Sequence, residues 1–134
     1  MDSATHIDRV EHHVWTVLYG KVSYADLQEM VTRLIKEDVL AFEQLYDLRS
    51  ATPAFAAEDL TMIALRMKAI TAKTPCGNIA VVVEGEWMSE LMRMLQSLLE
   101  GSCVLRPFWT IEAAQHWLGW NLGPGPEAIL ATAA

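Results

Sequence analysis

Four histidines and two cysteines are the side chains of this chain best suited to hold a metal or attack a substrate, and their spacing limits what they can do. His12 and His13 are neighbours in a stretch that reads as a strand, so their side chains point to opposite faces and cannot share an ion by themselves. His6 is the nearest histidine that could join either one. His116 follows Glu112 by one helical turn, a spacing that far more often makes a surface pair than a metal site. Cys76 and Cys103 stand 27 positions apart, with no Cys-X-X-Cys and no adjacent histidine, which reads as two reduced thiols. Cys76 falls in an expected loop with no base beside it in the sequence, so nucleophilic catalysis is not indicated. Gly77 and Gly85 are isolated, and no glycine-rich phosphate loop is present. The sequence therefore predicts no catalytic residue, no metal and no cofactor.

Other residues read as binding positions. If the later strands run parallel, their C-terminal ends gather Asp47, Arg49, Ser50, Glu84, Glu86, Trp87 and Trp109 along one rim, where open α/β sheets take ligands. The same charged residues would also suit solvated loops. Glu58 and Asp59 occupy the first turn of an expected helix, where the positive end of the macrodipole favours them. The expected helix 86–100 spreads its apolar positions over an arc of roughly 160°. Trp87, Leu91, Met94, Leu95 and Leu98 are expected in the core. Met88, Met92 and Leu99 form a flank expected to lie partly open, suited to adaptable contact with a protein helix or an acyl chain.

The elements that must position these residues follow from the apolar pattern. Thr5–Asp8 and His12–Gly20 read as a hairpin. Ser23 caps a helix with Asp26 as the capping-box acid, and Leu27, Met30, Val31, Leu34 and Ile35 form its apolar stripe. Ala41–Leu48 reads as a strand and Arg49–Phe55 as a loop. A helix with Leu60, Ile63, Ala64, Met67 and Ile70 on its buried stripe comes next. Ile79–Val83, nearly continuous in β-branched residues, reads as the central strand of a parallel sheet. Cys103–Phe108 reads as an edge strand because Pro107 cannot donate to a ladder. Thr110 caps a final helix that Gly119 ends. The order ββαβαβαβα implies an α/β fold: a central mixed sheet with an N-terminal hairpin, parallel βαβ crossovers and helices packed on it.

Length and composition agree with this. The 134 residues suit one domain, read as 1–122, followed by a Gly/Pro break and short tail over 123–134. A net charge of −7 with no basic cluster repels a polyanion, which argues against nucleic acid as a partner. No apolar run approaches the roughly 20 residues of a membrane span. The N-terminus lacks the basic start and apolar middle of a secretory signal, so the cytoplasm is the expected location.

Several pieces in this order resemble a known family: Tyr19-Gly20-Lys21-Val22-Ser23, Tyr46-Asp47-Leu48-Arg49, Leu91-Met92-Arg93-Met94, and Val104 to Leu118 closing with Ala113-Ala114-Gln115-His116-Trp117-Leu118. Over about residues 5–119 the chain is similar to STAS-type domains typified by the sporulation anti-sigma-factor antagonist. Within them it resembles the SpoIIAA-like branch grouped with lipid-binding SEC14 proteins. The resemblance implies a regulatory module without catalysis that binds a protein partner, or alternatively a carrier of a small apolar ligand or lipid. Phosphorylated antagonists of this superfamily carry a serine at the N-terminus of the helix after their third strand. The matching stretch here, Phe55-Ala56-Ala57-Glu58-Asp59, has no hydroxyl and puts fixed negative charge in its place. Whether Ser50 or Thr52 substitutes as an acceptor is open on sequence alone. A homodimer through the apolar helix flank or the edge near Pro107 is equally open.

Overall fold

The computed structural model describes residues 2–120. Asp2–Asp8 (β1) and His13–Ser23 (β2) pair antiparallel, from Asp2 opposite Tyr19 to Asp8 opposite His13. Asp8 shapes the turn, accepting the backbone N–H of Val10 at 3.0 Å and of Glu11 at 2.9 Å. His12 turns the chain with φ of 59° and stacks on Phe42. It therefore lies in the turn and not, as the sequence predicts, on a strand beside His13. Tyr24–Lys36 (α1) starts as its capping residues require: Ser23 Oγ accepts from the Asp26 N–H at 3.1 Å, and Asp26 Oδ2 accepts from the Ser23 N–H at 2.8 Å. Val31 and Leu34 are buried, whereas Ile35 is exposed. Eight residues beyond Leu27, the expected stripe has turned by about 80° away from the sheet.

Glu43–Ala54 (β3), Ala57–Thr71 (α2), Ile79–Val82 (β4), Glu86–Leu98 (α3), Leu105–Phe108 (β5) and Ile111–Leu118 (α4) complete the order. The strands lie as β1-β2-β3-β4-β5, with β2 through β5 parallel. Two expectations are corrected here. The stretch 49–54 continues β3 instead of forming a loop, because β2 runs on to Ser23 and pairs with it, Gly20 opposite Ala51 and Val22 opposite Pro53. Pro53 is tolerated because β4 pairs only with Gln44–Asp47, leaving the far half of β3 with one neighbour. The central strand is β3, not β4; β4 is fully buried because helices cover both faces and strands flank both sides.

β5 is an edge strand, as is β1. The carbonyls of Val104 and Phe108 accept from Ile79 and Val83 N–H at 2.8 and 2.9 Å, so residues of that parity aim their backbone at β4. Pro107 has the opposite parity and faces the open edge, where a missing N–H costs no ladder bond.

Alternation along the strands divides the interior in two. Val14, Leu18, Tyr46, Leu48, Ile79 and Val81 meet α1, α2 and α3 in the main core. Trp15, Leu45, Ala80 and Val82 meet Ile111, Ala114, Leu118 and Trp120 on the α4 face. Thr110 Oγ1 accepts the Ala113 N–H at 3.1 Å to open α4, and Gly119 closes it with φ of 74°, as the sequence predicts. No helix among the described residues is long and apolar enough to cross a membrane. The Gly/Pro break and tail lie outside the described residues.

Candidate functional site

Val82 pairs with Asp47 on one side and Phe108 on the other, so these three positions form one row across the sheet. Glu84, Glu86, Trp87 and Trp109 follow that row in the segments after β4 and β5, whereas Arg49 and Ser50, expected just past a strand end, lie inside β3, which runs on to Ala54. Ser50, Glu84, Glu86, Trp87 and Trp109 are exposed, the tryptophans at 56% and 57%. Asp47 is different. It lies inside β3, is buried, and binds the Arg49 guanidinium through two contacts of 2.9 and 2.8 Å. Its carboxylate also accepts the Arg49 N–H at 3.1 Å, so it holds the local strand and is not open to a ligand.

The face of α3 is corrected. Met88, Met92 and Leu99, predicted as a partly open flank, are buried at 4%, 4% and 2%, whereas Trp87 and Met94, predicted as core, are exposed. The apolar arc is wide enough for either face to turn inward. The choice falls to packing: α3 lies over the sheet against both α2 and β5, and that seam takes the 88, 92, 95, 99 row. A flank of methionines is therefore not an exposed contact surface.

Those methionines line something else. Between the sheet and α1–α3 is an apolar cavity of about 100 Å³, whose walls include Leu18, Met30, Met67, Met88, Met92 and Leu99. Its two polar wall residues, Gln44 and Tyr46, were not singled out from the sequence. Gln44 donates to the carbonyls of Leu40 at 3.0 Å and Phe42 at 3.3 Å, and its Oε1 accepts the Tyr46 hydroxyl at 2.8 Å. Burial pushes the Tyr46 phenol up, so it stays a neutral donor. The one available signal was a glutamine two positions before a tyrosine in an apolar strand, which puts both on one face.

Glu58 and Asp59 open α2 as predicted but have different roles. Asp59 Oδ2 accepts the Ala56 N–H at 2.8 Å, closing half of a capping box that Ala56, lacking an oxygen, leaves incomplete. Glu58 makes no such bond and is exposed.

Among the described residues no three His, Cys, Asp or Glu side chains gather as a metal site. His13 stacks on Trp120 at 4.0 Å beside Glu43, and burial holds its pKa below the usual histidine value. The two thiols, distant in sequence, meet. The neighbouring Cys103, together with burial, pushes the Cys76 thiol well up, and Cys76 holds Cys103 below the ordinary thiol range, while Cys76 Sγ donates to the Gly77 carbonyl at 3.4 Å.

The SpoIIAA-like family model matches residues 14–119. Among solved structures, the chain is similar to an uncharacterized protein with a SpoIIAA-like fold from Shewanella loihica PV-4, at 18% identity and a TM-score of 0.58, covering 87% of this chain and 93% of that one. It is also similar to the anti-sigma factor antagonist SpoIIAA in its unphosphorylated form, at 12% identity and a TM-score of 0.51, covering 87% and 98%. Comparison with curated proteins finds no match. The likeness in solved structures is one of fold, and the family match spans both helical layers and the four parallel strands: the chain belongs to the SpoIIAA-like family.

Proposed function

We propose that the chain is a non-catalytic protein-interaction module of the STAS type, contacting its partner at the sheet end where β4 and β5 finish. The carrying observation is the pair Trp87 and Trp109, more than half exposed at that end, with the exposed acids Glu84 and Glu86 beside Trp87 in the chain. Exposed tryptophans are what interfaces bury for most of their energy. A phosphoserine switch at the start of α2 is absent from this reading, because Phe55–Asp59 offers no hydroxyl and Asp59 is committed to the helix cap. Glu58 is the acid left to meet a partner there.

The test is affinity purification from the native cytosol, followed by titration of each purified candidate partner against the wild type and the Trp87→Ala/Trp109→Ala variant. A true partner should bind the variant at least tenfold more weakly, as interface hot spots do. Equal affinity of both proteins for every candidate would sink this surface.

A second reading, a carrier of a small apolar ligand, is favoured by the methionine-lined cavity alone. At about 100 Å³ it is smaller than a cavity of about 150 Å³ that takes benzene, so without parting of the helices it suits a few carbons and not an acyl chain. Native mass spectrometry of freshly purified protein should then show added mass that organic extraction removes. Protein that is already empty, and indifferent to added hydrocarbon, would dismiss it.

A further inference from the structure

The chain has six arginines, and four of them spend their guanidinium within the described residues. Arg9 reaches Glu37, Arg33 reaches Thr5, Arg49 holds Asp47, and Arg66 on α2 bonds to Gln28 and Thr32 on α1. Arg93 and Arg106 have no hydrogen bond or ion pair among the described residues, and they line the same pocket. In a protein of net charge −7, two guanidiniums without carboxylate partners lining one hollow leave their N–H donors free to meet an anion.

The pocket, of about 250 Å³, wraps the open edge of the sheet between α3 and β5. Ser89, Arg93 and Gln96 fall at i, i+4 and i+7 on one face of α3, and Arg106, Phe108 and Trp109 come from the edge strand and the turn after it. The polar groups of this wall are donors or donor-capable: two guanidiniums, an amide, a hydroxyl and an indole. No carboxylate is part of the lining, although Glu86 and Glu90 lie on the same helix. Ser89 is 4% exposed, and its hydroxyl makes no hydrogen bond among the described residues. Arg106 is held with its guanidinium carbon 5.5 Å from the centre of the Phe108 ring, which steadies the fork without occupying its N–H groups.

We propose that this pocket is an oxyanion site that takes the phosphate of a small phosphomonoester. The two guanidiniums supply charge and bidentate donors, Ser89 and Gln96 supply directional bonds, and the rings of Phe108 and Trp109 give an apolar seat for the ester group. The site is separate from the tryptophan surface proposed above except at Trp109, and it does not depend on that reading. Attraction by the two exposed guanidiniums is local, so binding weakens as salt screens it.

The experiment is a nitrogen-resolved NMR titration of the full chain at low ionic strength with phenyl phosphate and, separately, with inorganic phosphate, using sodium chloride at matched ionic strength as control. Saturable shifts at Ser89, Arg93, Gln96, Arg106 and Trp109 are expected with phenyl phosphate, weaker binding with inorganic phosphate, and none from chloride. Arg93→Gln and Arg106→Gln should each weaken binding about tenfold or more, since a charge-assisted contact is lost. Lys68→Gln, on α2 and outside this pocket, should bind as the wild type does. Both arginines are exposed, so their variants should keep the wild-type spectrum elsewhere, which separates loss of binding from loss of fold. Shifts that chloride reproduces, or an Arg93→Gln/Arg106→Gln variant binding unchanged, would overturn the site. Equal affinity for the two phosphates would overturn the ester.

Discussion

The hydroxyl of Tyr46 donates to Oε1 of Gln44 at 2.8 Å within a largely apolar layer. Neither group has water to fall back on, because Gln44 is fully buried and Tyr46 nearly so. Tyr46→Phe is expected to cost about 1–3 kcal/mol, the penalty for leaving the glutamine oxygen without that donor. Gln44→Leu in the same background should not recover the loss, because it also takes a donor from the Leu40 and Phe42 carbonyls. Urea unfolding of the two variants checks this, and a Tyr46→Phe protein as stable as the wild type would show that the bond contributes nothing.

Gly77 sits where an added Cβ would lie 2.0 Å from the Phe42 carbonyl oxygen and 2.5 Å from its carbon. The backbones approach so closely because Gly77 N–H donates to the Leu40 carbonyl at 2.9 Å just before β4 begins. Gly77→Ala must move backbone, not a flexible side chain, and should destabilise by about 2 kcal/mol or more. Thermal unfolding should show a lower Tm, whereas Gly85→Ala, with open space around it, should suffer only from its positive φ.

Asp59 and Glu58 are adjacent acids with separable effects. Asp59→Ala removes an N-cap bond and should cost about 1 kcal/mol, while Glu58→Ala should stay within about 0.5 kcal/mol. Ala56→Ser should add the missing half of the capping box and stabilise by about 0.5–1 kcal/mol. Denaturant midpoints of the three variants would reveal a wrong assignment if Glu58→Ala proved the costlier change.

His13 is held neutral by burial against Trp120, with the Glu43 carboxylate only partly opposing that effect. Its folded pKa lies below the unfolded value of about 6.5. Above that pH both states are neutral and the contribution to stability is complete. As the pH falls below it the unfolded chain takes the proton first, and stability declines. Between pH 7.5 and 5.5 the wild type should lose more stability than His13→Gln. Parallel curves for the two would exclude His13 as the source.

Much of the architecture can be read from the residues. Ser23 with Asp26, Thr110 with Gly119, the stripe Leu60–Met67 and the edge position of the strand that holds Pro107 each announce themselves through a local rule of capping, periodicity or donor loss, and each element sits where those rules put it. Glu84, Glu86 and Trp109 fall just past strand ends, which are local features too, but Asp47, Arg49 and Ser50 lie inside β3.

What tertiary structure decided is what local rules leave degenerate. An apolar arc of 160° does not say which row meets the sheet, so only packing against α2 and β5 could send Met88, Met92 and Leu99 inward and leave Trp87 outside. β3 runs to Ala54 because a neighbouring strand offers it a partner, not because Arg49-Ser50-Ala51-Thr52-Pro53 favours a strand. The same holds for Cys76 beside Cys103 and for Arg93 beside Arg106. Chain order determines which residues exist and which helix face or strand parity they occupy, but contacts across dozens of positions are fixed only when the layers close.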